Sequence, residues 1–170
     1  MRKLWEEHIT WTRLVIVDIA NALPSEGADT QRLLKNATDL ADAMKGYYPS
    51  DASDSVGSLI KDHLTIAATL VHAAKSGDTA AASTAETQWY ANADALAAAL
   101  SGANPAWPQA DVKAMLYDHL KLTKQEAVAA ITQDSAGSIA AYDQIHVQAL
   151  MMADTLTDGI IKQFPEKFGQ

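Results

Sequence analysis

Three histidines recur at nearly constant spacing along this sequence, and they are the residues best suited to chemistry. His8, His63 and His119 lie 55 and 56 residues apart, although the chain has only five histidines in all. Each follows an acidic residue; these acids are Glu7, Asp62 and Asp118. Neutral imidazole is the commonest protein ligand for first-row transition metals. The spacing therefore indicates a metal site assembled from three separate segments.

A second set of polar residues follows each of these histidines by about 28 positions. Asn36, Asn92 and His146 correspond in this alignment, with separations of 56 and 54 residues. Asp143 lies three residues before His146, so both would share one face of a helix. We predict that Asn36, Asn92 and Asp143 support the imidazoles and that His146 is a fourth metal ligand.

Helical spacing places the first three histidines on apolar stripes rather than on a solvent face. Around the first histidine, Leu4, Trp11 and Val15 occur at offsets of −4, +3 and +7. Offsets of three, four and seven residues lie on one side of an α-helix. The other two histidines have apolar residues at the same offsets, except that Glu126 stands seven residues after the third. We therefore expect the imidazoles to face a helical core.

The leading hypothesis is a metal-binding helical bundle with a histidine-rich polar layer in its core. If three helical hairpins stack in the same register, four imidazoles converge and suit zinc, iron, manganese or copper. The predicted ligands are His8, His63, His119 and His146. The acids before the first three histidines point about 100° away from them, so they are predicted to support the site from outside rather than to bind metal.

Two other functions fit the same residues. A buried histidine can simply donate to a carbonyl or an amide, and buried asparagines can specify which helices pair. The protein would then be a non-enzymatic binding or interaction module with a purely structural layer. The third hypothesis is an enzyme whose small-molecule pocket is walled by Trp5, Trp11 and Trp89. Tryptophans at helical spacing are more often ordinary core residues, which makes this hypothesis the weakest.

The segments that must position these residues are predicted to be six α-helices. Glycine, proline and short polar residues interrupt the chain at five places. The predicted helices cover about 2–22, 28–46, 52–75, 79–101, 109–132 and 136–164. Short connections favour antiparallel neighbours. The predicted fold is therefore one all-α bundle domain over 1–170, built from three hairpins (about 1–50, 51–104 and 105–170) with an internal pseudo-repeat of about 55 residues.

Composition narrows the class of protein. The 170 residues include no cysteine, 48% are apolar, and the net charge is −8. Alanine abounds, which favours helices, and absent cysteine excludes disulfides and thiol chemistry. The acidic balance argues against a nucleic-acid partner. We found no apolar stretch for a membrane span and no secretion signal, so a cytoplasmic location is predicted. The remaining predicted partner is a metal ion or small ligand.

Four segments resemble a family of small bacterial proteins of uncharacterised function. They are LWEEHITWTR at 4–13, WYANAD at 89–94, LYDHL at 116–120 and MMADTLTDGIIKQFP at 151–165. The resemblance extends over nearly the whole chain. It implies a bacterial, cytoplasmic, single-domain protein, and it implies no particular activity.

Overall fold

The computed structural model describes residues 1–169, and six α-helices make up most of that range. The helices are α1 (Arg2–Asn21), α2 (Glu26–Met44), α3 (Ser50–Ser76), α4 (Thr79–Ala103), α5 (Gln109–Ile131) and α6 (Ser135–Gln163), followed by a short 3-10 helix at Pro165–Phe168. No strand occurs within 1–169. The prediction of an all-α protein with six helices packed in a bundle is confirmed.

Local sequence explains where several helices begin and end. Asp78 Oδ1 accepts a hydrogen bond from the backbone N–H of Ala81, and Asp134 Oδ1 accepts one from the N–H of Gly137, both at 2.9 Å. These carboxylates cap the first turns of α4 and α6. Gly77 ends α3 in the left-handed conformation, with φ of 77°, which glycine adopts without strain.

The six helices form a closed ring in which three outer helices alternate with three inner ones. Outer helix α2 packs between α1 and α3, α4 between α3 and α5, and α6 between α5 and α1. The three odd-numbered helices also contact one another, so they form the centre of the bundle. Because consecutive helices joined by short connections run antiparallel, α1, α3 and α5 all run in the same direction.

Close helix approach depends on two glycines. A Cβ built on Gly57 in α3 would lie 2.7 Å from Cβ of Ala41 in α2. A Cβ on Gly159 in α6 would lie only 1.9 Å from the indole nitrogen of Trp107. The fully buried Trp107 ring therefore packs directly on the backbone of α6.

A buried polar network fastens one end of the bundle. Asn104, which is fully buried, donates from Nδ2 to the hydroxyl of Tyr48 at 2.9 Å. That hydroxyl in turn donates to Oε1 of Gln163 at 3.2 Å. The network joins the α4–α5 connection, the α2–α3 connection and the end of α6. Within the described chain, no helix is long and apolar enough to cross a membrane.

Candidate histidine site

His8, His63 and His119 lie on the three inner helices and line one internal cavity. Their exposed fractions are 5%, 6% and 4%, so all three are buried. The cavity has a volume of about 60 Å³, and its other walls are mainly apolar side chains, including Trp5. The structure therefore brings together three of the four histidines predicted as metal ligands.

Each of these imidazoles belongs to a hydrogen-bonded arrangement that we call a His–amide unit. In every unit the histidine Nδ1 is bonded to the side-chain amide oxygen of the following helix. The pairs are His8–Asn36 at 3.2 Å, His63–Asn92 at 2.9 Å and His119–Gln148 at 3.1 Å. The amide nitrogen donates to the backbone carbonyl four residues before the histidine. These carbonyls belong to Leu4, Leu59 and Met115, at 2.9, 3.0 and 2.9 Å.

The His–amide units fix which ring nitrogen carries the proton. Since each amide nitrogen faces a carbonyl, the amide oxygen must face Nδ1, and only a protonated Nδ1 can donate to it. In a neutral imidazole the other nitrogen, Nε2, then carries a free lone pair. This tautomer is the one that a metal-binding histidine uses when an oxygen behind it holds Nδ1.

Burial keeps these imidazoles uncharged. Desolvation, followed by the neighbouring His119, lowers the pKa of His8 to about 3, although the bond to Asn36 opposes the shift. The pKa of His63 also falls to about 3, again through desolvation and then His119. Desolvation lowers the pKa of His119 as well. All three are therefore neutral at physiological pH.

The three Nε2 atoms differ in their surroundings. His63 Nε2 accepts a hydrogen bond from the indole N–H of Trp89 at 3.0 Å. Among the described residues, Nε2 of His8 and of His119 has no hydrogen-bond partner, and their ring centroids are 5.9 Å apart. The buried indole N–H of Trp5, whose ring centroid is 5.5 Å from that of His8, also lacks one within residues 1–169. The residues that line the cavity thus carry two free acceptors and one free donor.

Comparisons with family models, curated proteins and solved structures give no match to this chain. What the site can do rests on its own chemistry. Over residues 1–169, no three histidine or acidic side chains already form a group that could hold a metal ion. The bond from Trp89 to His63 occupies the lone pair that a third ligand would need.

His146 does not join the buried histidines, which corrects the predicted four-histidine layer. Its side chain is 41% exposed, and its Nε2 lies 3.6 Å from Oε1 of Glu6 at the surface. Asp143 is exposed as well. The residue that occupies the amide position is Gln148, two positions later. Two residues correspond to about 200° around a helix, so His146 and Gln148 lie on nearly opposite faces of α6.

The acidic residues before the histidines do not support the imidazoles. Glu7 accepts a hydrogen bond from Arg32 at 2.7 Å, while Asp62 and Asp118 are exposed. The amides, rather than these acids, contact Nδ1. The acids cannot reach Nδ1 because adjacent residues in an α-helix point about 100° apart.

The three tryptophans predicted as pocket walls have separate positions. Trp5 lines the histidine cavity, and Trp89 reaches it through its bond to His63. Trp11 lies away from that cavity, where the guanidinium of Arg32 sits 5.2 Å above its ring. Two of the three therefore contact the site, and the third packs near the bundle surface.

Sequence reasoning did not identify a buried ion pair that joins α1 and α5, five and seven residues after their histidines. Arg13 donates to Oε1 of Glu126 at 2.5 Å, and Glu126 is 1% exposed. Burial raises the pKa of Glu126 to about 6, although Arg13 opposes the shift. Arg13 also lies 4.8 Å above the ring of Tyr142. The available signal was Glu126 itself, the one charged residue at the +7 offset.

Proposed function

We propose that this protein binds one divalent transition metal ion (zinc, iron, manganese or copper) in the histidine cavity. Nε2 of His8 and Nε2 of His119 are the first two ligands. His63 becomes the third when the indole N–H of Trp89 moves off its Nε2. The observation that carries the proposal is the pair of neutral, partnerless Nε2 atoms of His8 and His119 beside one cavity.

The chemistry of the His–amide units supports this proposal. A metal binds the unprotonated nitrogen of a neutral imidazole, so a charged histidine must first lose a proton. Here the pKa of His8 is about 3, so protons do not compete for it near neutral pH. A water or hydroxide on the metal would also accept a hydrogen bond from the indole N–H of Trp5, which otherwise has no partner. Metal binding would thus give the buried N–H of Trp5 the partner that it otherwise lacks.

The experiment is a metal titration of protein purified without a histidine tag and stripped with a chelator. We expect one equivalent of Zn²⁺ or Co²⁺ to bind by calorimetry and elemental analysis. The variants His8→Ala and His119→Ala should each weaken binding at least tenfold. The matched controls are His72→Ala and His146→Ala, because both side chains are exposed. Absence of stoichiometric binding, or equal binding by His8→Ala and wild type, contradicts the proposal.

The second candidate is an interaction module whose His–amide units are purely structural. The bond from Trp89 to His63 favours it, since that imidazole is already fully partnered. One buried water could also donate to the other two Nε2 atoms and accept from Trp5. This candidate predicts that His63→Ala lowers the free energy of unfolding while Zn²⁺ leaves the thermal midpoint of the wild type unchanged.

We also propose that the three hairpins are an internal repeat of about 55 residues. The similar separations of 28, 29 and 29 residues within the His–amide units support it. A circular permutant beginning at residue 51 and ending at residue 50 should then retain the helical content and unfolding cooperativity of the wild type. The acidic, cysteine-free composition supports a cytoplasmic protein that does not bind nucleic acid, and the family resemblance supports a bacterial source. Cell fractionation and a DNA-binding assay would test the location and the absence of nucleic-acid binding.

A further inference from the structure

A second, larger cavity lies at the other end of the bundle from the N-terminus of α1. Its volume is about 210 Å³, and side chains from five helices line it. The walls are mostly buried aliphatic groups, such as Val15, Ile19, Leu33 and Val71. Exposed Val128 marks where the cavity approaches the surface.

Most polar groups in these walls are already partnered, and the Thr30 hydroxyl is the exception. The hydroxyls of three lining threonines each donate to the carbonyl four residues earlier in their own helix. They are Thr12 to His8, Thr65 to Lys61 and Thr123 to His119, at 2.8 to 2.9 Å. Lys124 at the mouth forms an ion pair with Glu86 at 2.5 Å. An occupant that needs hydrogen bonds or an opposite charge would find little to pair with, so the walls favour a neutral apolar molecule.

The size of the cavity limits the occupant. An apolar cavity of about 150 Å³ in another protein stays dry and binds benzene. A cavity of about 210 Å³ is larger than that. It remains smaller than the roughly 300 Å³ at which pockets for drug-sized ligands begin. A single aromatic ring with one or two methyl groups, or a short hydrocarbon chain, matches this volume.

Trp89 lies between the two cavities. Its ring lines the apolar cavity, and its N–H donates to Nε2 of His63, which lines the histidine cavity. The indole is 2% exposed, so it can leave His63 only by moving into free internal space. The apolar cavity provides such space beside it. An occupant there would hold the indole against His63.

We infer that the apolar cavity is a binding site for a small neutral apolar molecule, and that its occupant contacts Trp89 and so acts on His63. The binding site itself is independent of metal. Only one consequence rests on the proposed function: an occupant that holds Trp89 in place should weaken metal binding, and by reciprocity metal should weaken binding of the occupant.

The experiment uses benzene, toluene and p-xylene as probes, in buffer that contains a chelator. We expect saturable shifts of the Trp89 indole N–H signal in nitrogen–proton NMR spectra, with the signal assigned from the Trp89→Phe variant. Ala127→Leu, which fills the cavity, should abolish these shifts while the protein stays folded. Ala68→Leu is a second filling variant from another helix. Ala110→Leu, at an exposed position of α5, is the matched control and should bind like the wild type.

Each outcome is decisive for one part of the inference. No saturable binding of any probe by the folded wild type overturns the site, as does undiminished binding by both filling variants. Binding that leaves the Trp89 N–H signal unchanged overturns the link to His63. Since the chelator removes metal, these results do not depend on the proposed function. The metal titration is then repeated with p-xylene present, and a loss of at least threefold in Zn²⁺ affinity is expected.

Discussion

At the scale of single residues, the side-chain amide is the group that holds each buried, neutral histidine in this core. Asn92 accepts from His63 with its oxygen and donates to the Leu59 carbonyl with its nitrogen. A carboxylate in that position would attract a proton to the imidazole, since a nearby negative charge favours the charged form. An amide holds the ring without adding a charge beside it, which suits the metal ligands that we propose.

The amide of Gln148 should therefore contribute measurably to stability. We expect Gln148→Ala to lower the free energy of unfolding by about 1 to 2 kcal/mol, because the Nδ1–H of buried His119 loses its acceptor. Urea denaturation is the measurement. Gln144→Ala is the control, since Gln144 is exposed on the same helix. Equal effects of the two substitutions would contradict this role.

The sequence alone predicted the histidine of each His–amide unit better than its amide partner. Each of the first three histidines has apolar neighbours at offsets of three and four, and that pattern determines which way a helical side chain faces. For the partner, Asn36 and Asn92 were identified and Gln148 was not. Asn and Gln differ in length by one methylene, and the alignment was shifted by two residues toward His146. Side-chain reach is not encoded in periodicity.

At the scale of helices, the contact between Trp107 and α6 imposes the strictest requirement. The ring rests on the backbone at Gly159. Any residue with a Cβ at this position would overlap the indole. A glycine within a helix normally reduces stability by about 1 kcal/mol relative to alanine. Its presence here is explained by the indole that needs the space.

Gly159→Ala should consequently destabilise the protein, against the usual preference of helices. We expect a loss of about 2 to 4 kcal/mol, because the new methyl group would overlap the indole of Trp107. Gly102→Ala is the matched control, since nothing lies near its added Cβ, and it should be neutral or slightly stabilising. Thermal unfolding followed by circular dichroism measures both. A stabilised Gly159→Ala would show that Trp107 moves freely.

The helix boundaries were predictable because short-range chemistry determines them. Asp78 and Asp134 cap their helices through hydrogen bonds to the backbone N–H three residues later. Gly77 ends α3 because it adopts the left-handed conformation. The ring arrangement was not predictable in the same way. Which outer helix packs between which inner helices depends on contacts such as Trp107 with Gly159, between residues 52 positions apart.

At the scale of the whole molecule, buried titratable groups determine how stability responds to pH. His8 and His63 have folded pKa values of about 3, below the usual 6.5. The stability that they contribute is present above pH 6.5 and is lost as the pH falls toward 3. Glu126 acts oppositely, because its folded pKa of about 6 exceeds the ordinary 4.5. Its contribution is present below pH 4.5 and is lost as the pH rises through 6.

We expect the histidines to dominate this balance. Between pH 8 and pH 5, His8 and His63 should each remove about 2 kcal/mol from the free energy of unfolding, while Glu126 restores about 1 kcal/mol. Urea denaturation at several pH values would show a net loss of at least about 3 kcal/mol, because the lowered pKa of His119 adds to the loss in the same direction. In the Glu126→Gln variant the loss over the same range should be about 1 kcal/mol larger. A stability that is constant from pH 8 to pH 5 would contradict buried neutral imidazoles.

The closed ring also has a consequence for the order of folding. Every His–amide unit joins residues within one hairpin, 28 or 29 positions apart. Closure of the ring instead brings α1 against α6, where Arg2 meets Asp154 across 152 positions. Joining distant segments loses more chain entropy than joining near ones. We therefore expect the hairpins to gain amide protection first in pulsed hydrogen exchange, and the seam between the first and last helices to form last.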